Sequence, residues 1–202
     1  MPIGSFGADD QPVKAPYIES GDCWSYHAEG FFFHGWINDY ELCVTSVDQK
    51  KNLILAVATV KDDGREIDTA FALDWAAYAD VKGTAIPLGY RIFRFPLRVG
   101  DEYVTEIETM NSWAAAHALN RLNIRIAGWE DVTVPAGKFR TLKVEVKGTA
   151  VFMNGLGYRP VLFTQIWWYA PEVNRHVKYL NQIEGIPPTH LSEELTGYRL
   201  NK

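Results

Sequence analysis

The sequence predicts a mainly β fold: a single antiparallel meander domain forming a curved sheet, β-roll or open barrel, with one or two short helices. Three observations predict it. Apolar and polar residues alternate with period two in several runs, the pattern of strands with one wet face. Turn signals such as Asp62-Asp63-Gly64 and Pro135-Ala136-Gly137 separate those runs. The 202 residues include 7 Trp, 10 Tyr and 10 Phe, which favour strands and supply large buried areas.

Taken in order, residues 1–16 are polar and Pro-bearing and read as a flexible leader, with residues 17–202 as one β-rich domain. The first strands can be set in register. If Trp24 faces Leu42, then Tyr26 faces Tyr40, and all four share one apolar face. That register puts Cys23 opposite Cys43, on the polar face beside Ser25, Glu41 and Thr45, where a cross-strand disulfide is feasible. A bridge would imply an oxidising compartment. The alternative, two reduced cysteines that tolerate their sites, stays open on spacing alone.

Further along, Leu53 to Lys61 and Arg65 to Leu73 flank Asp62-Asp63-Gly64 and form a second hairpin. Asp74 to Ala79 and Ser112 to His117 are alanine-rich and follow capping-type residues, which predicts two short helical turns. Tyr90 to Phe95 reads as a strand broken by Pro96, and Val99-Gly100-Asp101 turns the chain into a strand from Glu102 to Thr109. Leu122, Ile124 and Ile126 lie on one strand and Leu142, Val144 and Val146 on the next, linked through Pro135-Ala136-Gly137. Phe163 to Tyr169, Val173 to Asn181 and a closing strand near Leu195 to Leu200 complete about ten strands. Gly21-Asp22-Cys23-Trp24 and Gly100-Asp101-Glu102-Tyr103 share a Gly-Asp pair, which points to recurrent turn chemistry at two strand entries.

Composition excludes several classes. Hydrophobic residues make up 47% and charged residues 22%, enough for a packed core and unlike a disordered chain. The apolar run from Asn52 to Val60 stops at Lys61, short of a transmembrane helix. A net charge of −5 without a basic cluster argues against nucleic acid. The start through Asp10 lacks a basic and an apolar region, so a native Met1 start would mean a cytoplasmic protein. Read instead as a mature chain whose signal has been removed, the protein is periplasmic or secreted.

Several motifs in order resemble one family of bacterial exported proteins, a β-rich domain family of unknown function. They are Gly21 to Tyr26, Phe95 to Asp101, Gly128-Trp129-Glu130 through Phe139, and Trp168 to Val173. The resemblance spans most of the chain and implies a β-rich envelope protein. It brings no catalytic residues.

The residues themselves offer no recognisable chemistry. His27 and His34 are the nearest histidine pair, and neither a His-x-His nor a Cys-x-x-Cys spacing occurs, so no metal site is expected. A Gly-x-Ser-x-Gly elbow is missing, no nucleophile stands out, and no cofactor is implied. Glu130-Asp131 and Glu193-Glu194 are adjacent carboxylates that point to opposite faces of a strand, and both pairs read as solvated. Gly155 to Pro160 lacks a third glycine and reads as a turn rather than a phosphate loop.

Aromatic clusters remain. Phe31, Phe32, Phe33 and Trp36 at a hairpin tip, with Trp167 and Tyr169 later in the chain, predict a surface for an apolar small molecule or an envelope protein. The alternative is that these rings fill the core. The expected function is therefore a non-enzymatic cell-envelope protein binding such a ligand or partner on a curved sheet. Two alternatives are a structural or assembly subunit with no small-molecule ligand, and an unrecognised hydrolase using Asp and His from separate strands.

Overall fold

The computed structural model describes residues 11–32, 35–36, 39–81, 84–87, 91–111, 116–154, 157–184 and 189–201. Thirteen strands lie among the described residues: β1 (Cys23–Phe32), β2 (Gly35–Trp36), β3 (Tyr40–Asp48), β4 (Leu53–Val60), β5 (Glu66–Phe71), β6 (Ala77–Val81), β7 (Thr84–Pro87), β8 (Glu102–Asn111), β9 (Ala116–Val134), β10 (Gly137–Asn154), β11 (Gly157–Ala170), β12 (Arg175–Ile183) and β13 (Thr189–Arg199). They form one open antiparallel sheet, in the order β7-β6-β5-β4-β3-β1-β13-β12-β11-β10-β9-β8, with β2 paired to β1. Two meanders are thus joined where β13 pairs with β1.

The alternation of side chains sets the register. Trp24 pairs with Leu42, Tyr26 with Tyr40, and Cys23 with Cys43, as the period-two pattern predicts. Asp62-Asp63-Gly64 lies in the β4–β5 connection, and Pro135-Ala136 joins β9 to β10 as a two-residue turn with Val134 opposite Gly137.

The sheet curls so that its two ends approach each other. A flat path of twelve strands would span about 53 Å at roughly 4.8 Å per gap. The chain must cross from β7 at one edge to β8 at the other over the residues between Pro87 and Glu102. Fully stretched, that segment reaches about 50–54 Å, which would leave a flat sheet no slack. Ile92, Phe93 and Leu97 are buried along it. A groove of about 350 Å³ records the approach of the two ends, lined by Ala72, Ala76, Ala77 and Tyr78 from one side and Thr105 from the other, with Arg91 and Arg94 between.

Two apolar clusters result. One gathers Trp24, Tyr26, Val44, Ile54, Val177 and Leu195 under the tip of the β9–β10 hairpin, where Val132, Val134 and Phe139 are buried. The other packs Leu122, Ile124, Ile126, Val144 and Val146 beneath Phe93 and Leu97.

The two Gly-Asp strand entries share a backbone. Asp22 N donates to Glu19 O, and Asp101 N donates to Arg98 O, closing equivalent turns with Gly21 at φ +92° and Gly100 at φ +90°. Each turn then docks on a partner strand in the same way. Gly21 N donates to Val44 O while Val44 N donates to Asp22 O; Gly100 N donates to Ile126 O while Ile126 N donates to Asp101 O.

Several expectations need correction. The helical turn expected over Asp74 to Ala79 is a tight loop followed by β6. Ala72 N donates to Ala76 O, and Ala77 then pairs with Phe71, so cross-strand pairing outweighs alanine's helix propensity. Of the second expected turn, residues 112–115 lie outside the described residues, and Ala116 onward is strand. Among the described residues, helical structure is confined to a 3-10 turn at Pro171–Val173. Arg91 to Phe95 is irregular and not a strand, because consecutive Ile92 and Phe93 are both buried where a strand would alternate; Tyr90 lies outside the described residues. Gly157 to Pro160 is strand, not the expected turn; Gly155 and Leu156 lie outside the described residues. Within 1–16, residues 1–10 are outside the described residues, and Val13 is bridged to Leu97 by two backbone hydrogen bonds of 2.8 and 2.9 Å.

Candidate functional site

The candidate site lies on the inward face of the sheet, which carries the buried Trp24 and Tyr26. Neighbouring strands place rings side by side there. Trp24 meets Trp75 at 5.3 Å between centroids, and Trp75 meets Phe71 at 5.4 Å. Tyr26 stacks on Tyr40 at 5.4 Å and on His176 at 4.9 Å. From His176 the series continues to Trp167 at 5.0 Å and to Tyr179, 4.0 Å beyond. Tyr40, Phe71, Trp75 and Trp167 are half-buried, so the series reaches from the core to the solvent boundary.

Polar groups are threaded through these rings. Trp24 Nε1 donates to Val173 O at 2.7 Å, and the Tyr26 hydroxyl donates to His176 O at 2.7 Å. His176 Nε2 lies 3.2 Å from Glu193 Oε2. The register that pairs Tyr179 with Glu193, together with an irregularity between Trp168 and Tyr169, brings these two side chains together. Burial pushes the His176 ring below its usual pKa, against the opposing pull of Glu193. Burial also raises the Tyr26 and Tyr40 hydroxyls well above the usual tyrosine value. Glu193 is half-buried, its side chain 14% exposed, where a solvated role was expected; Glu194, pointing the other way, pairs with Lys178 at 2.7 Å.

Arg175 enters the same face from the start of β12. Its guanidinium carbon lies 4.2 Å from the Trp75 ring centroid, with Phe71, Trp24 and Tyr26 at 5.4, 5.6 and 5.9 Å. Only 8% of the residue is exposed. Trp75 is held over it by an Nε1 hydrogen bond of 2.7 Å to Asn174 O and has φ +64°, a conformation rare for a bulky side chain.

The residues singled out from sequence divide into three groups. Phe31 and Phe32 extend β1 and pair with Trp36 and Gly35 of β2, forming the expected hairpin; Phe33 lies outside the described residues. Tyr169 is a core residue at 1% exposure, packed on Phe93 at 5.2 Å, so it presents no surface to a partner. Trp167 is half-buried and belongs to the aromatic face. Cys23 and Cys43 are joined by a disulfide, with Cα atoms 4.2 Å apart. On the exposed side of β1, the two ring nitrogens of His27 face Asp39 and Glu29. Hydrogen bonding to Glu29 and then to Asp39 raises the pKa of His27.

Sequence reasoning missed Arg175, His176, Glu193 and Trp75. The available signal was Arg175-His176 opening a strand that is otherwise apolar at alternate positions. As for metals, no group of three or more His, Cys, Asp or Glu side chains among the described residues could hold one. The arrangement offers flat apolar surface, buried hydroxyls and one buried cation.

No family model matches the chain, and no curated protein matches it. Several solved structures are similar to it. A candidate lipoprotein from Parabacteroides distasonis is 15% identical and superposes with a TM-score of 0.51, over 94% of this chain and 100% of that one. A candidate exported protein of YmcC-like fold from Bacteroides fragilis gives 12% identity, a TM-score of 0.47 and coverage of 94% and 100%. The hypothetical lipoprotein YmcC from Escherichia coli gives 9%, 0.45, and coverage of 87% and 83%.

Proposed function

We propose that the chain is a non-enzymatic protein of the bacterial cell envelope that binds an apolar ligand on its curved sheet. The observation that carries the reading is a pair of neighbouring ring groups, Phe71, Trp75 and Trp24 in one and Tyr40, Tyr26, His176 and Trp167 in the other, each with half-buried members at its margin. Envelope location, and membership of the exported family that the sequence motifs resemble, draw support from the Cys23–Cys43 bridge and from the fold shared with the candidate lipoprotein of Parabacteroides distasonis. Native mass spectrometry of gently purified protein tests the ligand reading. A co-purified apolar molecule, or a lipid-induced rise in melting temperature, is the expected result; neither being seen would sink it.

A second reading, a structural or assembly subunit docking on a protein partner, is favoured by a different surface. On the outward face of β9 to β11, Leu119 and Leu162 are 48% and 51% exposed, beside Val151 and Pro160 in adjoining register positions. A pull-down from an envelope fraction with wild type and a Leu119→Glu, Leu162→Glu double variant separates the readings, because only a partner bound at that face is lost by the variant. The hydrolase reading has the His176–Glu193 pair to draw on, but its side chains are only 5% and 14% exposed.

A further inference from the structure

We propose that Arg175 is the anchor for an anionic headgroup, and that the ligand of the curved sheet is a single-chain amphiphile ending in a carboxylate. This deepens the apolar-ligand reading and rests on it. The argument starts from an imbalance of charge. Arg175 is more than nine-tenths buried, and its Nε is buried without a hydrogen-bond partner. Glu193, the carboxylate of this face, acts on Tyr26 and His176 together with Arg175, but its hydrogen bond goes to His176, and among the described residues no carboxylate forms an ion pair with Arg175. Arginine stays protonated inside proteins, and a buried charge is costly unless an opposite charge or a full set of hydrogen bonds meets it.

The surroundings meet part of that need. The faces of Trp75, Phe71, Trp24 and Tyr26 attract the cation through their quadrupoles, and the Tyr26 hydroxyl lies beside the guanidinium. Rings cannot accept the in-plane N–H of Nε. A carboxylate oxygen can, with a charge-assisted hydrogen bond. The two half-buried rings of the box, Phe71 and Trp75, would then flank the first carbons of an alkyl chain. Approach is past Phe71 and Trp75, the two half-buried members of the box. Trp75 sits on the loop between β5 and β6 rather than on a strand, in a backbone conformation that tertiary contacts must impose. Strained residues of this kind cluster at ligand clamps, which agrees with its place over Arg175.

The test compares dodecanoate with dodecanol, equal in chain length, by quenching of tryptophan fluorescence in the wild type, R175K and R175M. The wild type is expected to bind dodecanoate about tenfold or more tighter than dodecanol. R175K is expected to keep part of that preference, and R175M to lose it while still binding the alcohol. Equal binding of acid and alcohol by the wild type overturns the anchor and leaves the apolar-ligand reading standing. Binding of neither overturns both. Acetate binding as tightly as dodecanoate also overturns the proposal, because the chain would then contribute nothing. Should R175M fail to fold, the wild-type comparison and R175K decide.

Discussion

At Glu19 to Asp22, and again at Arg98 to Asp101, the chain makes one turn with one pattern of backbone hydrogen bonds, yet the two copies sit in different surroundings. Asp22 is buried, and its carboxylate accepts from Glu19 N at 2.9 Å and from Asn201 N at 2.7 Å. Asp101 is exposed. Trp24, two residues after Asp22, is fully buried, whereas Tyr103, two after Asp101, is half-buried and donates its hydroxyl to Ile92 O. Cys23 carries the disulfide where the second copy has exposed Glu102. A short motif therefore fixes backbone geometry, and the energy it contributes depends on what the fold lays over it.

Paired substitutions measure that difference. The largest effect is expected for Trp24→Ala, which removes a core ring and orphans Val173 O, and should cost about 3–5 kcal/mol in urea unfolding. Tyr103→Ala should cost less than half of that; equal losses would break the comparison. Next, C23A/C43A opens a bridge that closes a loop of sequence separation 20 and should lower stability by about 3 kcal/mol, with added reductant reproducing the loss in the wild type alone. Asp22→Ala leaves two backbone donors without their acceptor and should cost about 2 kcal/mol, against under about 0.5 kcal/mol for Asp101→Ala.

Glycine substitutions are finer. Both positions need positive φ, so Gly100→Ala should cost about 1 kcal/mol through backbone strain alone. Gly21→Ala should cost more, since its new Cβ meets the Asn201 side-chain amide, and the excess should shrink in a G21A/N201A double variant. The smallest effects are expected from pH, and they oppose one another. His27 has a raised pKa, so its contribution is complete below its usual value of 6.5 and fades as pH rises through the folded value. His176 has a lowered pKa, so its contribution holds above 6.5 and is lost as pH falls toward the folded value. Melting temperature followed across this range should flatten on the alkaline side in His27→Gln and on the acid side in His176→Gln.

What the sequence revealed follows from how far each signal reaches. The register of Trp24 with Leu42 was legible because alternation and two cysteines constrain it together. Pro135-Ala136-Gly137 and Asp62-Asp63-Gly64 were legible because turn chemistry is local. The helix expected over Asp74 to Ala79 failed because Ala77 and Tyr78 pair with Phe71 and Ala70 of β5, a cross-strand partner that local propensity does not register. The box around Arg175 was illegible for a stronger reason. Its walls come from residues 24, 26, 71 and 75, and they converge only when β12 is laid beside β13 and β13 beside β1.

That seam has a consequence for assembly. β1 finds β3 within some twenty residues, but its other neighbour, β13, lies more than 150 residues further along. The middle of the sheet thus joins strands far apart in sequence, and its closure has the high contact order that makes all-β folding slow. Until β13 arrives, the edge of β1 presents unpaired backbone groups of the kind that aggregate.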